Sequence, residues 1–195
     1  MLMLCEGVAN DWSAVYLHDV LGADESLAAM GFAAFSLTMA AGRFAGDRVV
    51  EGIGPVRFIR LAGLLAATGL GLALLIDQPA IGVVGFGLLG LGLAGVVPVV
   101  FSTAGHRDDS GRGDSAAPAL ATVSTVGYLG FLSGPAVIGG LSEPLTLRGA
   151  LVVVVALVGL ICILAPGVRV DRRSPRRFQQ PATNPARASR RLRSS

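Results

Sequence analysis

The chain has no lysine: all sixteen of its basic residues are arginine. Charge of either sign is scarce, at 15% of 195 residues, whereas a water-soluble domain carries about a quarter. The two cysteines, Cys5 and Cys162, lie in different apolar segments and read as free thiols facing lipid or core, not as a disulfide framework. The two histidines, His18 and His106, fall at opposite ends of the expected helices and cannot share a metal. Aromatic residues are few, and Phe178 alone stands in the arginine-rich C-terminal stretch. Nucleic-acid binding would want interleaved aromatics or a folded basic surface, so that partner is set aside.

Hydrophobic residues are abundant instead, at 52% of the chain with a mean hydropathy of +0.66. Five uncharged runs follow one another: Ser26 to Gly42, Leu61 to Ile76, Gln78 to His106, Ser115 to Ser142 and Gly149 to Val168. A bilayer core of ~30 Å takes about 20 apolar residues per helix. Each run spans that thickness, alone or with flanking residues that snorkel. The runs are apolar almost all round, unlike helices that must turn one face to water. They are too long, and too little alternating, for membrane strands. Helices are the remaining way to satisfy a backbone in lipid. The fold class is therefore all-α, a polytopic transmembrane bundle over residues 1–168.

The first twenty residues form a partial helix. Met1 to Cys5 is apolar, Glu6, Asn10 and Asp11 interrupt, and Trp12 to Leu17 resume before Leu21-Gly22. With no basic leader and acids in its apolar part, the segment is not a signal peptide. The chain is expected to start inside a helix.

If the helices alternate in direction, fifteen of the sixteen arginines share one side, and Arg148 alone lies opposite. The positive-inside rule makes the arginine side cytoplasmic. The expected location is the plasma (inner) membrane with a cytoplasmic C-terminus. Residues 169–195 exchange apolar residues for Pro, Ser, Asn, Gln and nine arginines, the composition of a disordered tail touching anionic head groups.

Gly42-Arg43-Phe44-Ala45-Gly46-Asp47-Arg48 followed by Arg57 is the most particular local pattern. Glycines let helix ends approach closely, and a carboxylate beside arginines can cap a neighbouring helix. At these residues the chain resembles the major facilitator superfamily, whose signature loop reads Gly-x-x-x-Asp-Arg-x-Gly followed by bases. Here Gly42 stands five residues before Asp47, with Gly46 adjacent, and Glu51-Gly52 occupy positions where the family often has a base. The Asp11-Trp12-Ser13 segment is similar to the seventh helix of bacterial facilitator permeases. The resemblance implies a six-helix C-terminal half, a truncated seventh helix plus five full ones, working with an N-terminal half absent from this chain. It further implies alternating-access transport of a small-molecule substrate, with Gly42, Arg43, Gly46, Asp47, Arg48 and Arg57 forming a conformational loop.

Polar residues at membrane depth are expensive and point to function. Glu6, Asn10 and Ser13 share one helix face, which is expected to line the substrate or proton pathway. Asp11 projects away from that face and can meet a neighbouring helix instead. Ser124 and Tyr128, four apart with Thr125 beside them, make a second polar face; it fits the pathway or interhelical hydrogen bonding equally. Glycines distributed round Gly82 to Gly95 predict close packing on several sides. Gly130, Gly134 and Pro135 predict a deformable helix. No constellation for enzymatic catalysis, metal or cofactor emerges: Ser133 lacks a base at its depth, and the glycines at 90, 92 and 95 follow no strand. Solute transport, possible only with a second half, leads; a truncated or scaffold protein without transport, and a homodimeric half-transporter, are the rivals.

Overall fold

The computed structural model of the chain describes residues 2–96, 98 and 117–164. All of its described elements are helical. Helix α1, Leu2–Val15, runs into a π-helical turn at Tyr16–Val20, and the chain reverses at Gly22, whose φ of 68° suits glycine. Asp24 caps α2, Glu25–Ile53, by accepting a 2.7 Å hydrogen bond from Leu27 N–H. Gly54, at φ 83°, ends α2 and admits Pro55 as the first residue of α3, Pro55–Leu75. A second proline start opens α4, Pro79–Ala94. Helix α5 covers Ala117–Leu164 and bends at Thr146, the one non-helical residue within it.

Side-chain contacts give the direction of each element. Gly7 of α1 lies on Phe131, Gly134 lies on Leu4 and Val8, and Gly139 lies on Trp12, so α1 and the first limb of α5 run parallel. The second limb returns along α3, with Val155 against Gly71 and Cys162 against Gly63. At 40 residues, Ala121–Leu160 measures about 60 Å, twice a bilayer core, which is why the bend is needed. Helices α2 and α4 descend together, from Leu17 beside Gly31 and Gly82 to Gly46 beside Gly95. Gly22, Asp77 and Thr146 thus share one end, and Gly54, Arg57 and Cys162 the other. Strict alternation was expected and is observed.

Among the described residues, Glu25–Gly46, Pro55–Leu75 and Ala121–Leu160 are long and apolar enough to cross a membrane, and Pro79–Ala94 is a shorter apolar helix. The remainder of the expected run to His106, with Arg107 and Arg112, lies outside the described residues, as does the tail. One expectation is corrected. The Gly42 to Arg48 motif is not a loop: it occupies the last turns of α2, which stays helical to Ile53. Arg48 and Glu51 are exposed there, so their charges meet solvent without breaking the helix.

Helix α4 is the hub. Gly90 meets the Phe35 carbonyl and Thr38 of α2, Gly85 and Gly92 meet α3 at Ala73 and Ala66, and Gly82 meets Leu17. The Thr38 hydroxyl sits 2.7 Å from the Gly87 carbonyl and 2.8 Å from that of Ala34, bridging two helices. In lipid such close packing, not exclusion of water, drives helix association. Phe86, Leu89 and Leu93 join Val8, Tyr16, Leu70, Leu151 and Val154 in one core.

Candidate functional site

Pro135 carries no N–H, so the Phe131 carbonyl, four residues earlier, has no helical donor. Gly7 settles against that carbonyl, closer than any residue with a Cβ could. Five residues on, Trp12 donates its indole N–H to the Pro135 carbonyl at 3.2 Å. These two contacts fix the rotation of α1 and send Glu6 toward α2.

Glu6 is 8% exposed, and its Oε1 lies 3.7 Å from Arg43 Nη2 without a hydrogen-bond donor. Arg43 donates instead to Met39 Sδ at 3.3 Å. A cavity of about 260 Å³ opens beside the pair. Glu6 and Asn10 line it from α1, Phe35, Ser36, Met39, Ala40 and Arg43 from α2, and Phe131 from α5. The arrangement sets a carboxylate with open lone pairs next to a half-exposed guanidinium, an amide and a hydroxyl, against apolar walls. It can accept a proton or hydrogen bonds at Glu6 and donate them from Arg43.

The structure divides the expected polar face. Glu6 and Ser13 turn inward and are buried, whereas Asn10 and Asp11 are exposed. Ser124 is half-buried and Tyr128 is 67% exposed; neither lines the cavity, which takes Phe131 from that limb. In the motif, Gly42 admits Ala94 and Leu91, and Gly46 lies against Gly95, so both glycines serve close approach to α4. Arg48 and Arg57 are exposed. The Asp47 side chain lies outside the described residues.

Reading the residues alone missed Tyr16 and the Glu6–Arg43 pairing. Tyr16 stands three residues after Ser13, a spacing that was available. The pairing joins positions far apart in sequence and left no local trace. At the end of the bundle bearing Gly22, His18 Nδ1 lies 2.7 Å from Asp19 Oδ1, and that hydrogen bond raises the exposed imidazole above its ordinary range. Among the described residues no group of three or more His, Cys, Asp or Glu could hold a metal.

The family model of the Major Facilitator Superfamily matches residues 2–194. The chain belongs to this superfamily. It is similar to an uncharacterised MFS-type transporter of Yersinia pestis, 38% identical over 143 residues, covering 73% of this chain and 36% of the relative. It is also similar to the membrane protein MosC of Rhizobium meliloti, 39% identical over 85% of this chain and 39% of the relative. An uncharacterised transporter of Sinorhizobium fredii is 39% identical over 84% of this chain and 42% of its own length. The chain thus spans about two fifths of the curated relatives it matches. No solved structure matches it. Superfamily membership and the apolar helices together make it a multi-pass membrane protein of a transporter family, pointing to membrane transport and not to enzymatic turnover.

Proposed function

We propose that the chain supplies the C-terminal six-helix half of a secondary transporter that moves a small solute by alternating access, coupled to protons. Glu6 carries this reading. A buried acid whose oxygen has no donor, beside an arginine and a cavity, is costly unless substrate or a proton occupies it during the cycle. An N-terminal half completes the site, in line with the two fifths of its relatives that the chain spans. Exposed Asn10, Asp11 and Tyr128 then face that half. The protein is placed in the plasma (inner) membrane with the ends bearing Arg48 and Arg57 toward the cytoplasm, a reading that the arginine distribution supports.

The test is gradient-driven uptake or efflux by the full-length protein carrying this chain, across a solute panel, with Glu6→Gln alongside. Proton coupling at Glu6 requires the variant to lose accumulation against a gradient while keeping solute exchange. Unchanged accumulation sinks the assignment. The motif at the end of α2 is proposed to bias the conformational equilibrium. Asp47→Asn then cuts transport at near-normal membrane abundance, since a shift of ~1–3 kcal/mol redistributes states without unfolding the bundle.

A further inference from the structure

Three buried side-chain polar atoms lack a hydrogen-bond partner among the described residues: Glu6 Oε1, Ser13 Oγ and Tyr16 Oη. All three belong to α1 and its π turn, at spacings of seven and three, so they form one line on the inward side of a single helix. Ser13 and Tyr16 are fully buried. The Tyr16 ring stacks edge-on against Phe86 of α4, at 6.3 Å between centroids, which places it within this half and not on the open face. Tyr16 belongs to the turn at the end of the bundle where Arg148 pairs with Asp77. The line therefore runs from the end of the bundle that bears this charged, partly exposed pair to Glu6, where Arg43 faces it. Orphaned polar atoms in an apolar interior are costly one at a time, and ordered water is the usual remedy. Three in a row describe a path. From Glu6 to Ser13 the helix rises about 10 Å, and from Ser13 to Tyr16 about 4.5 Å.

We propose that this line is a hydrated passage inside the half, running behind α1 from the Asp77–Arg148 pair past Tyr16 and Ser13 to Glu6. It connects Glu6 with one membrane face by a route separate from the solute cavity. The inference rests on Glu6 being the proton site. The charged groups at its two ends are Arg43 from α2, beside Glu6, and the pair of Arg148 from α5 and Asp77 from the α3–α4 break.

The test uses the full-length protein with Cys5 and Cys162 replaced by alanine. Ser13→Cys and Val8→Cys are compared for reaction with a small, membrane-impermeant methanethiosulfonate added at the Asp77 face. Val8 is equally buried but lies on the opposite side of α1, against Gly134. A passage makes Ser13→Cys react at least ~10-fold faster, because the control thiol must await local opening, and adding Tyr16→Trp slows it toward the control. Equal, slow reaction of both thiols overturns the passage. Rapid labelling of Ser13→Cys together with undiminished accumulation by Glu6→Gln keeps the passage and removes the proton assignment, so the two failures are distinguishable. As a second measurement, Ser13→Leu lowers gradient-driven accumulation while solute exchange persists; loss of both in equal measure counts against the route.

Discussion

Arg148, just past the bend of α5, pairs with Asp77 in the break between α3 and α4, 71 residues away in sequence. Both breaks therefore lie at one end of the bundle, the end where, among the described residues, Arg148 is the only arginine. If that end is external, a thiol placed at Asp77 reacts with impermeant reagent from outside in intact cells, and one placed at Arg57 is protected. The reverse pattern inverts the orientation.

The glycines of α4 predict graded damage. A valine at Gly92 would overlap Ala66 and the Ala62 carbonyl, backbone and short side chain with no room to yield. Gly92→Val is expected to cost ~1–3 kcal/mol, read as reduced thermal stability in detergent. Gly52, which meets nothing within 4 Å, is the control. Gly52→Ala leaves stability level or raises it by up to ~1 kcal/mol, since alanine favours a helix interior.

Glu6 and Arg43 form a pair that can be measured as one. Removing Arg43 leaves a buried carboxylate facing no cation, whereas Glu6→Gln first removes the charge that needs it. Arg43→Ala is therefore expected to be more damaging in the native background than beside Glu6→Gln. A double-mutant cycle on folded yield and thermal stability should give a coupling of ~0.5–3 kcal/mol, toward the lower part because Arg43 is half exposed. Additive effects would mean that the 3.7 Å approach carries no energy.

Much of this architecture was legible in the sequence. Uncharged runs separated by Gly, Pro and charge yielded the helices and their alternation, since lipid demands both. Glycines round the circumference of α4 announced close packing on more than one side. The end of α2 was not legible. Arg43, Asp47, Arg48 and Glu51 look like a loop when hydropathy sets the boundary, but the helix projects beyond its apolar part and only Gly54-Pro55 stops it. The site was legible by residue type and not by orientation. Spacing grouped Glu6, Asn10 and Ser13, yet Gly7 on Phe131 and Trp12 on Pro135 decide which of them face inward, and the first of those contacts depends on a carbonyl freed by a proline over a hundred residues away.

His18 offers a pH signature at the end bearing Gly22. Its pKa lies above the ordinary 6.5, first through its hydrogen bond to Asp19 and further through the charges of Asp19 and Glu25. With the folded value raised, the stabilisation is fully present below the ordinary value and fades as pH climbs through the raised one. Asp19→Asn should move the His18 titration, followed by NMR of the imidazole, back toward the ordinary range. No movement would show that the contact does not persist in the membrane.

The remaining prediction concerns what 195 residues can do alone. Asn10 and Asp11 are exposed on the described bundle, and so are Tyr128, Leu129 and Leu132, at 63–72% exposure, along the neighbouring limb of α5. Polar groups on a lipid-facing surface cost several kcal/mol each in the bilayer core, while the same groups opposite a second bundle would enclose a site. Alternating access also needs two bodies that move against each other, and α1 to α5 pack around one shared core. The purified chain in liposomes is therefore expected to show no saturable, gradient-dependent flux and to self-associate or lose stability, whereas co-expression with a preceding six-helix half restores both. Specific flux from the chain by itself would replace the two-half transporter with a homodimer in which the face bearing Asn10 and Asp11 meets its own copy.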